Sequence, residues 1–368
     1  CNLTNNCPID DFFPKYGRDG FFLRDAFNVL SNTALVHFFE SRGLRTIVND
    51  NGKIFPWDES AKSVLLVLEK ELAKRKVRTF LGSPVLEIIS EKERLFSVKA
   101  VNGSIATFDR VILATGGVSY PETGSTGDGY KMAERLGHTI IPPRPALVAV
   151  IVKENYPASL MGLSLSGISL TIFNDTRKIF SGKGDLVFTA KGVSGPLVLS
   201  NSGMISERLS RNAKLSLSID QFPEIPRDKF DRTLSDHLTA SSSKNARNAM
   251  RELVPERLAE LFLDISGISG GKISNQITRK ERMALSSLLK DLHLTIIGTL
   301  PIREAMVTRG GVSLKEIDPK TMASRIVKGL YLAGEVIDID GDTGGFNLQA
   351  AFSTGYLAGL SAGRIEGS

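Results

Sequence analysis

The stretch Gly329-Leu330-Tyr331-Leu332-Ala333-Gly334-Glu335-Val336-Ile337-Asp338-Ile339-Asp340-Gly341-Asp342-Thr343-Gly344-Gly345-Phe346-Asn347-Leu348-Gln349-Ala350-Ala351 decides the fold. Leu330 to Ala333 is a short apolar run stopped by Gly334, the pattern of a buried parallel strand. Ala350, Ala351, Leu357, Ala358 and Leu360 suit a helix packed on that strand. Between them lies a loop with three acids, Asp338, Asp340 and Asp342, and the pair Gly344-Gly345. A strand, a glycine turn and a helix N-terminus form a site for an anion, because free backbone N–H groups and the helix dipole point at it. Carboxylates cannot ligate phosphate, so the acids fit the hydroxyls of a ribityl or ribose chain instead. The three acids also imitate the start of a calcium loop. That motif needs Gly at its sixth position and Glu at its twelfth, where Thr343 and Gln349 stand. A solvated loop without a ligand is the plain alternative.

Working outward, Val111 to Leu113 is a second apolar run, and it ends in Ala114-Thr115-Gly116-Gly117. This pattern marks a central parallel strand entering a turn small enough for a ligand to lie against it. The glycines from Gly124 to Gly129 have the spacing of a phosphate-binding loop, but Tyr130 stands where that loop needs Lys. A nucleoside triphosphatase is thereby excluded. Ser194 sits in Gly-Val-Ser-Gly rather than in a nucleophile elbow, and no His or acid partners it visibly. His138 has no partner near it in sequence and reads as structural.

Hydrophobic content of 42% and charged content of 23% over 368 residues allow two or three domains with proper cores. The net charge of +6 has no Lys/Arg block behind it, so it only weakly favours an anionic partner. Two cysteines, Cys1 and Cys7, make neither a redox pair nor a zinc pattern, which points to a reducing, cytoplasmic setting and no metal. No apolar run reaches membrane length and no signal peptide is visible, so no membrane partner is expected.

In chain order, Phe12, Phe13, Phe21, Phe22, Phe27, Phe38 and Phe39 read as core aromatics. A hairpin follows from Leu44 to Ile54, with its turn at Asn49-Asp50-Asn51-Gly52. A helix from Ala61 to Lys76 presents Val64, Leu65, Leu68 and Leu72 on one face. Strands are expected over Val77 to Phe80, Pro84 to Ile89, Leu95 to Ala100 and Ile105 to Phe108, the later ones as a meander. Pro142-Pro143-Arg144-Pro145 reads as a boundary that neither helix nor sheet continues. Beyond it, short alternating runs up to Ile219 suggest an antiparallel barrel or sandwich, and leucines between 227 and 290 have helical spacing. The fold class is therefore α/β. A Rossmann-like nucleotide-binding domain (1–144 and 319–368) is interrupted by a β-barrel-like domain (145–222 and 296–318) and a small helical domain (223–295).

Residues 333 to 351 resemble the C-terminal flavin signature of the BaiN-like, RdsA-like NAD(P)/FAD-dependent oxidoreductases, also known as aminoacetone-oxidase-family flavoproteins. Three further stretches are similar to the same family: Ala114 to Tyr130, Phe188 to Pro196, and Thr308-Arg309-Gly310-Gly311-Val312 leading to Thr321-Met322-Ala323-Ser324-Arg325. The resemblance implies an FAD-dependent oxidoreductase acting on a small or lipid-like substrate, with NAD(P)H as a co-substrate. It places Asn2, Thr4 and Asn5 beside the flavin and the Val85 backbone at the adenine. It implies further cofactor contacts at Ala114, Thr115, Gly116, Gly117, Gly334, Glu335, Asp342, Gly344, Gly345, Phe346, Asn347 and Leu348. The family's N-terminal strand, G-x-G-x-x-G turn and helix would hold the FAD pyrophosphate and are missing ahead of Cys1. The sequence is thus expected to start inside a longer reading frame, and whether the chain as given holds FAD stays open. Catalytic residues, the direction of reaction and the oligomeric state are not assigned by this reading. The alternative is a flavoprotein with a nucleic-acid role. Its discriminator is a basic patch with exposed aromatics. The helical segment offers Lys244, Arg247, Arg251, Arg257, Lys272, Arg279, Lys280 and Arg282, but its apolar residues are aliphatic.

Overall fold

The computed structural model describes residues 2–49, 51–91 and 95–364. Cys1 and Asp50, invoked above for the cysteine spacing and the hairpin turn, lie outside them. The chain divides into two compact units, residues 1–146 with 301–368, and residues 147–300.

The first unit opens with β1 (Thr4–Asn5), then α1 (Arg24–Val29) and α2 (Asn32–Glu40). β2 (Thr46–Val48) and β3 (Lys53–Pro56) form the expected hairpin, and β1 adds to its far edge. In α3 (Ala61–Lys74) the inward positions are Val64 and Val67, while Leu65 and Leu72 are exposed. This corrects half of the expected face: Val64 and Leu68 pack as expected on the small core of Leu3, Leu35, Phe39 and Leu44, and Val67 takes the place expected for Leu65 and Leu72. Val77 to Phe80 forms no strand, and Phe80 is 74% exposed. β4 (Val85–Ser90), β5 (Phe96–Ala100) and β6 (Ile105–Phe108) make an antiparallel meander. β7 (Val111–Leu113), α4 (Asp128–Arg135) and β8 (Ile140–Ala146) complete this half.

The second unit holds β9 (Val150–Val152), β10 (Ser164–Asn174), β11 (Arg177–Thr189), β12 (Gly192–Ser194), α5 (Pro196–Leu209) and β13 (Leu215–Asp220). It continues with α6 (Arg227–Ala240), α7 (Ala246–Arg251), α8 (Glu256–Ile265), α9 (Arg279–Lys290) and β14 (Leu292–Thr299). Its six strands close a barrel in the order β10-β11-β12-β9-β14-β13. Alternation fixes which residues face in: Leu215, Leu217 and Ile219 are buried, and the residues between them are not. The helices share one core with the barrel, because Phe230, Leu258, Phe262 and Leu285 join the cluster of Leu170, Phe188 and Leu294. The expected helical domain 223–295 is therefore not a separate body.

The chain returns through β15 (Val307–Val312), β16 (Leu330–Leu332) and α10 (Phe346–Gly363). β15 pairs antiparallel with β8, so residues 301–318 belong to the first unit and not to the barrel. The same pairing corrects the proline boundary. Pro145 lies opposite Thr308 in a two-stranded ribbon, where a residue without an N–H is tolerated on the outward side. Pro142 sits at the register irregularity between Arg309 and Gly311. Gly310 is needed there, since a Cβ would stand 2.7 Å from Pro142 O at φ +100°. The chain leaves the first unit just after these prolines, at Ala146.

Candidate functional site

Two strand ends build the site. β16 lies parallel to β7 with Leu330, Tyr331 and Leu332 opposite Val111, Ile112 and Leu113. Both strands thus release their chains at the same edge, where Ala333 N donates to Leu113 O (3.1 Å). From one end runs Ala114-Thr115-Gly116-Gly117; from the other, Gly334-Glu335. Gly116 and Gly334 both have φ +74°, a conformation that favours glycine. A Cβ on Gly334 would meet only Ala351 Cβ, at 3.9 Å, so the backbone here faces open space. That space is a cavity of about 180 Å³ lined by Gly334, Glu335, Asn347, Leu348, Ala351 and Thr354, among others.

The third component is the N-terminus of α10. Its first intrahelical bond runs from Gln349 N to Gly345 O (3.1 Å), leaving the N–H groups of Phe346, Asn347 and Leu348 ahead of the helical ladder. Gly345 (φ +95°) turns the chain into this helix against β1, and a Cβ on it would lie 2.4 Å from Thr4 O. Asn2 clamps the turn: its amide oxygen accepts from Gly345 N (2.8 Å) and its amide nitrogen donates to Thr4 O (2.9 Å). Asn5 donates to Gly344 O (3.1 Å). Asn347 folds back on the acidic loop, accepting from Gly341 N (2.8 Å) and donating to Gly341 O (2.9 Å) and Asp342 O (3.3 Å). Phe346 is packed edge-on against Phe12 and Tyr16, and Tyr16 Oη donates to Phe346 O (2.7 Å). Asn2, Asn5, Phe346 and Asn347 therefore shape the loop with their side chains.

The structure thus brings together Asn2, Thr4, Asn5, Asp342 and Gly344 to Leu348 at one turn, and Ala114 to Gly117 with Gly334 and Glu335 at the strand ends. Val85 stands apart, on β4 opposite Ala100. Thr115 packs under the glycine segment, since a Cβ on Gly129 would lie 1.9 Å from its Oγ1.

The acids differ in their surroundings. Burial pushes the carboxyls of Asp338, Asp340, Asp342 and Glu335 above their ordinary range. Asp340 is countered by Arg309 Nη1 at 3.4 Å. Glu335 accepts from Thr308 N (2.6 Å) and Ser119 Oγ (3.3 Å), which pulls the other way. The Thr4 hydroxyl is fully buried at this turn and has no hydrogen-bond partner.

Sequence reasoning assigned no site role to Thr308, Ser119, Asn32 or Gln349. Asn32 Nδ2 donates to Asn5 O (2.8 Å) and Cys7 O (2.9 Å), and Gln349 Nε2 donates to Leu30 O (3.0 Å). Buried polar side chains joining distant backbone leave no local signal. His138, read as structural, does have partners: Glu316 Oε2 at 3.2 Å from Nδ1 and Ser324 Oγ at 2.9 Å from Nε2. The order Ser-His-Glu copies a hydrolase relay, but Ser324 Oγ already accepts from Ile326 N (3.1 Å) and Val327 N (2.8 Å). The His138 side chain is fully buried, and burial holds its pKa down. These three residues staple the 313–327 loop to the start of β8. Among the described residues no cluster of His, Cys, Asp and Glu could hold a metal ion, and no helix is long and apolar enough to cross a membrane.

Comparison with known proteins gives several relatives, three of which follow. The chain is 33% identical to a 3-dehydro-bile acid delta(4,6)-reductase of Clostridium scindens over 98% of this chain and 87% of that protein. It is 31% identical to a ribosomal RNA dihydrouridine synthase of Haemophilus influenzae over 99% of this chain and 87% of that protein. It is 31% identical to the Escherichia coli protein of the same name, over 83% and 72% of the two chains. The profile of the "HI0933-like protein Rossmann domain" matches residues 1–361, which agrees with the parallel strand pair, the glycine turn and the helix that follows it. The chain therefore belongs to the HI0933-like Rossmann family.

Proposed function

We propose that this chain is an FAD-dependent oxidoreductase that takes reducing equivalents from NAD(P)H and acts on a small or lipid-like organic substrate. The observation that carries the reading is the meeting of two parallel strand ends and a helix N-terminus around a cavity with an open glycine edge. In open α/β folds, ligands bind outside the carboxyl ends of the strands. The residues present fit a flavin dinucleotide. Gly334 offers backbone without a side chain in the way, and Thr4 offers a buried hydroxyl without a partner. Asp342 offers a partly buried carboxylate for a ribityl hydroxyl. When bound, FAD supplies the hydride transfer, and the protein supplies orientation and charge.

The chain's own residues would act as follows. The N–H groups at the start of α10 would hold partial positive charge toward the bound group, favouring negative charge there. Gly334 and Ala114 to Gly117 would allow close backbone approach. Leu348, Ala351 and Met306 would keep water from the apolar side of the cavity. The named reductase among the relatives supports a substrate with a carbon–carbon double bond conjugated to a ketone.

A nucleic-acid substrate is the second reading, favoured by the names of the two dihydrouridine synthases. The helices of the second unit give it little support, because five of the eight cations named above are paired with acids. Lys244 pairs with Glu252, Arg251 with Glu256, Arg247 with Glu260 (3.4 Å), Lys272 with Glu281 (2.8 Å) and Arg282 with Asp231 (2.9 Å).

The test is to add FAD to the purified full-length protein and follow flavin fluorescence and NADH or NADPH oxidation, with a steroid enone or ribosomal RNA as acceptor. Bound flavin and enone-dependent oxidation are expected. Oxidation dependent on RNA alone would favour the second reading, and a protein that takes up no FAD would overturn both.

A further inference from the structure

Thr308 lies in none of the turns described above, yet it touches both strand ends. It is fully buried on β15, the first strand after the second unit. Its Oγ1 accepts two consecutive backbone N–H groups, from Val118 (2.9 Å) and Ser119 (3.1 Å). Its own backbone N–H donates to Glu335 Oε1 (2.6 Å). Its hydroxyl points at Ser119 Oγ (3.5 Å), which in turn donates to Glu335 Oε1 (3.3 Å). The packing is equally tight: a Cβ on Gly117 would fall 2.3 Å from Thr308 Oγ1 and 3.1 Å from Glu335 Cδ. One side chain thus fixes where the 114–119 turn stands relative to Gly334-Glu335.

We propose that Thr308 is a positioning residue: its hydroxyl locks the Ala114–Ser119 turn onto Glu335 and thereby sets the affinity of the cofactor site. This rests on the flavin reading above. Without the hydroxyl, two buried N–H groups lose their acceptor. Such groups move to find water or another partner, and they carry the turn with them. Backbone that must approach a ligand closely tolerates little movement. The dependence is on the oxygen and not on the bulk of the side chain. The hydrogen bonds that reach Glu335 from Thr308, Ser119 and Gly117 oppose the effect of burial, so the clasp also holds this acid toward its charged form.

Three substitutions separate oxygen from bulk. Thr308→Val keeps the shape and loses the acceptor, Thr308→Ala loses both, and Thr308→Ser keeps the acceptor alone. We expect Val and Ala to raise the FAD dissociation constant roughly ten-fold or more, and Ser to stay within about three-fold of the parent. Hydrogen exchange at the Val118 and Ser119 amides, measured without cofactor, should quicken in the Val and Ala proteins and not in Ser. If Val fails to fold, the Ala–Ser comparison still decides. Affinities that follow the methyl group, with Val like the parent and Ser like Ala, would overturn the proposal, as would unchanged exchange. A full-length parent protein that binds no FAD while the exchange pattern holds would leave the clasp standing and overturn the flavin reading.

Discussion

At the scale of single residues, the acids of the 338–342 loop are not equivalent. Asp340 faces Arg309, whereas Asp342 is opposed by the charge of Lys15 and is anchored through its backbone, Asp342 N to Lys15 O (2.9 Å). A carboxylate that accepts from a ligand hydroxyl is worth about 1.5–3 kcal/mol. Asp342→Ala is therefore expected to weaken FAD binding roughly ten- to a hundred-fold, read by flavin fluorescence titration with circular dichroism as the folding control. Asp338→Ala is expected to change it little. Equal, negligible effects from both would return the loop to a solvated role. The glycines and acids of this site were legible because each stands within a few residues of the next. Asn2, Asn5 and Asn347 were expected beside a flavin, and the structure gives their side chains bracing work at the turn. Thr308 and Ser119 meet across 189 positions and could not be paired from the sequence.

At the scale of elements, α9 shows how a helix in the second unit is held. Thr278 caps it by accepting from Glu281 N (3.3 Å), and Glu281 returns the contact to Thr278 N (2.7 Å). Lys272 joins through two bonds of 2.8 Å. The Lys272 ammonium and these hydrogen bonds bring the Glu281 carboxyl down to about 2 from 4.5. A lowered folded-state pKa means that this stabilisation is complete above 4.5 and is lost as pH falls toward 2. Thr278→Ala should cost about 1 kcal/mol in urea unfolding at neutral pH. Glu281→Gln should flatten the acid limb of the stability profile, and an unchanged limb would show that other carboxylates control it. Elements were legible wherever period and burial agreed, as in β13. They were misread where packing chose the face, as in α3, or where a two-stranded ribbon accepted proline, as in β8.

At the scale of the whole molecule, a Rossmann-type unit interrupted by a barrel was legible, because the hydrophobic period changes beyond Ala146. The end of the interruption was not, since β14 and β15 are both apolar strands seven residues apart and only their partners tell them apart. The pairing of β7 with β16 has a further consequence for synthesis. The second unit is one uninterrupted segment and can close its barrel once Thr299 has left the ribosome. β7 must wait, its partner emerging more than half the chain later. Contacts of such long separation form late and leave their apolar surface open meanwhile. Pulse-labelling during refolding should protect amides of β10, β11 and β13 before those of β7 and β16, and simultaneous protection would refute that order. On a translating ribosome the early half of the first unit, with Leu113, Met132 and Ala133 still uncovered, is the part a chaperone would have to shelter.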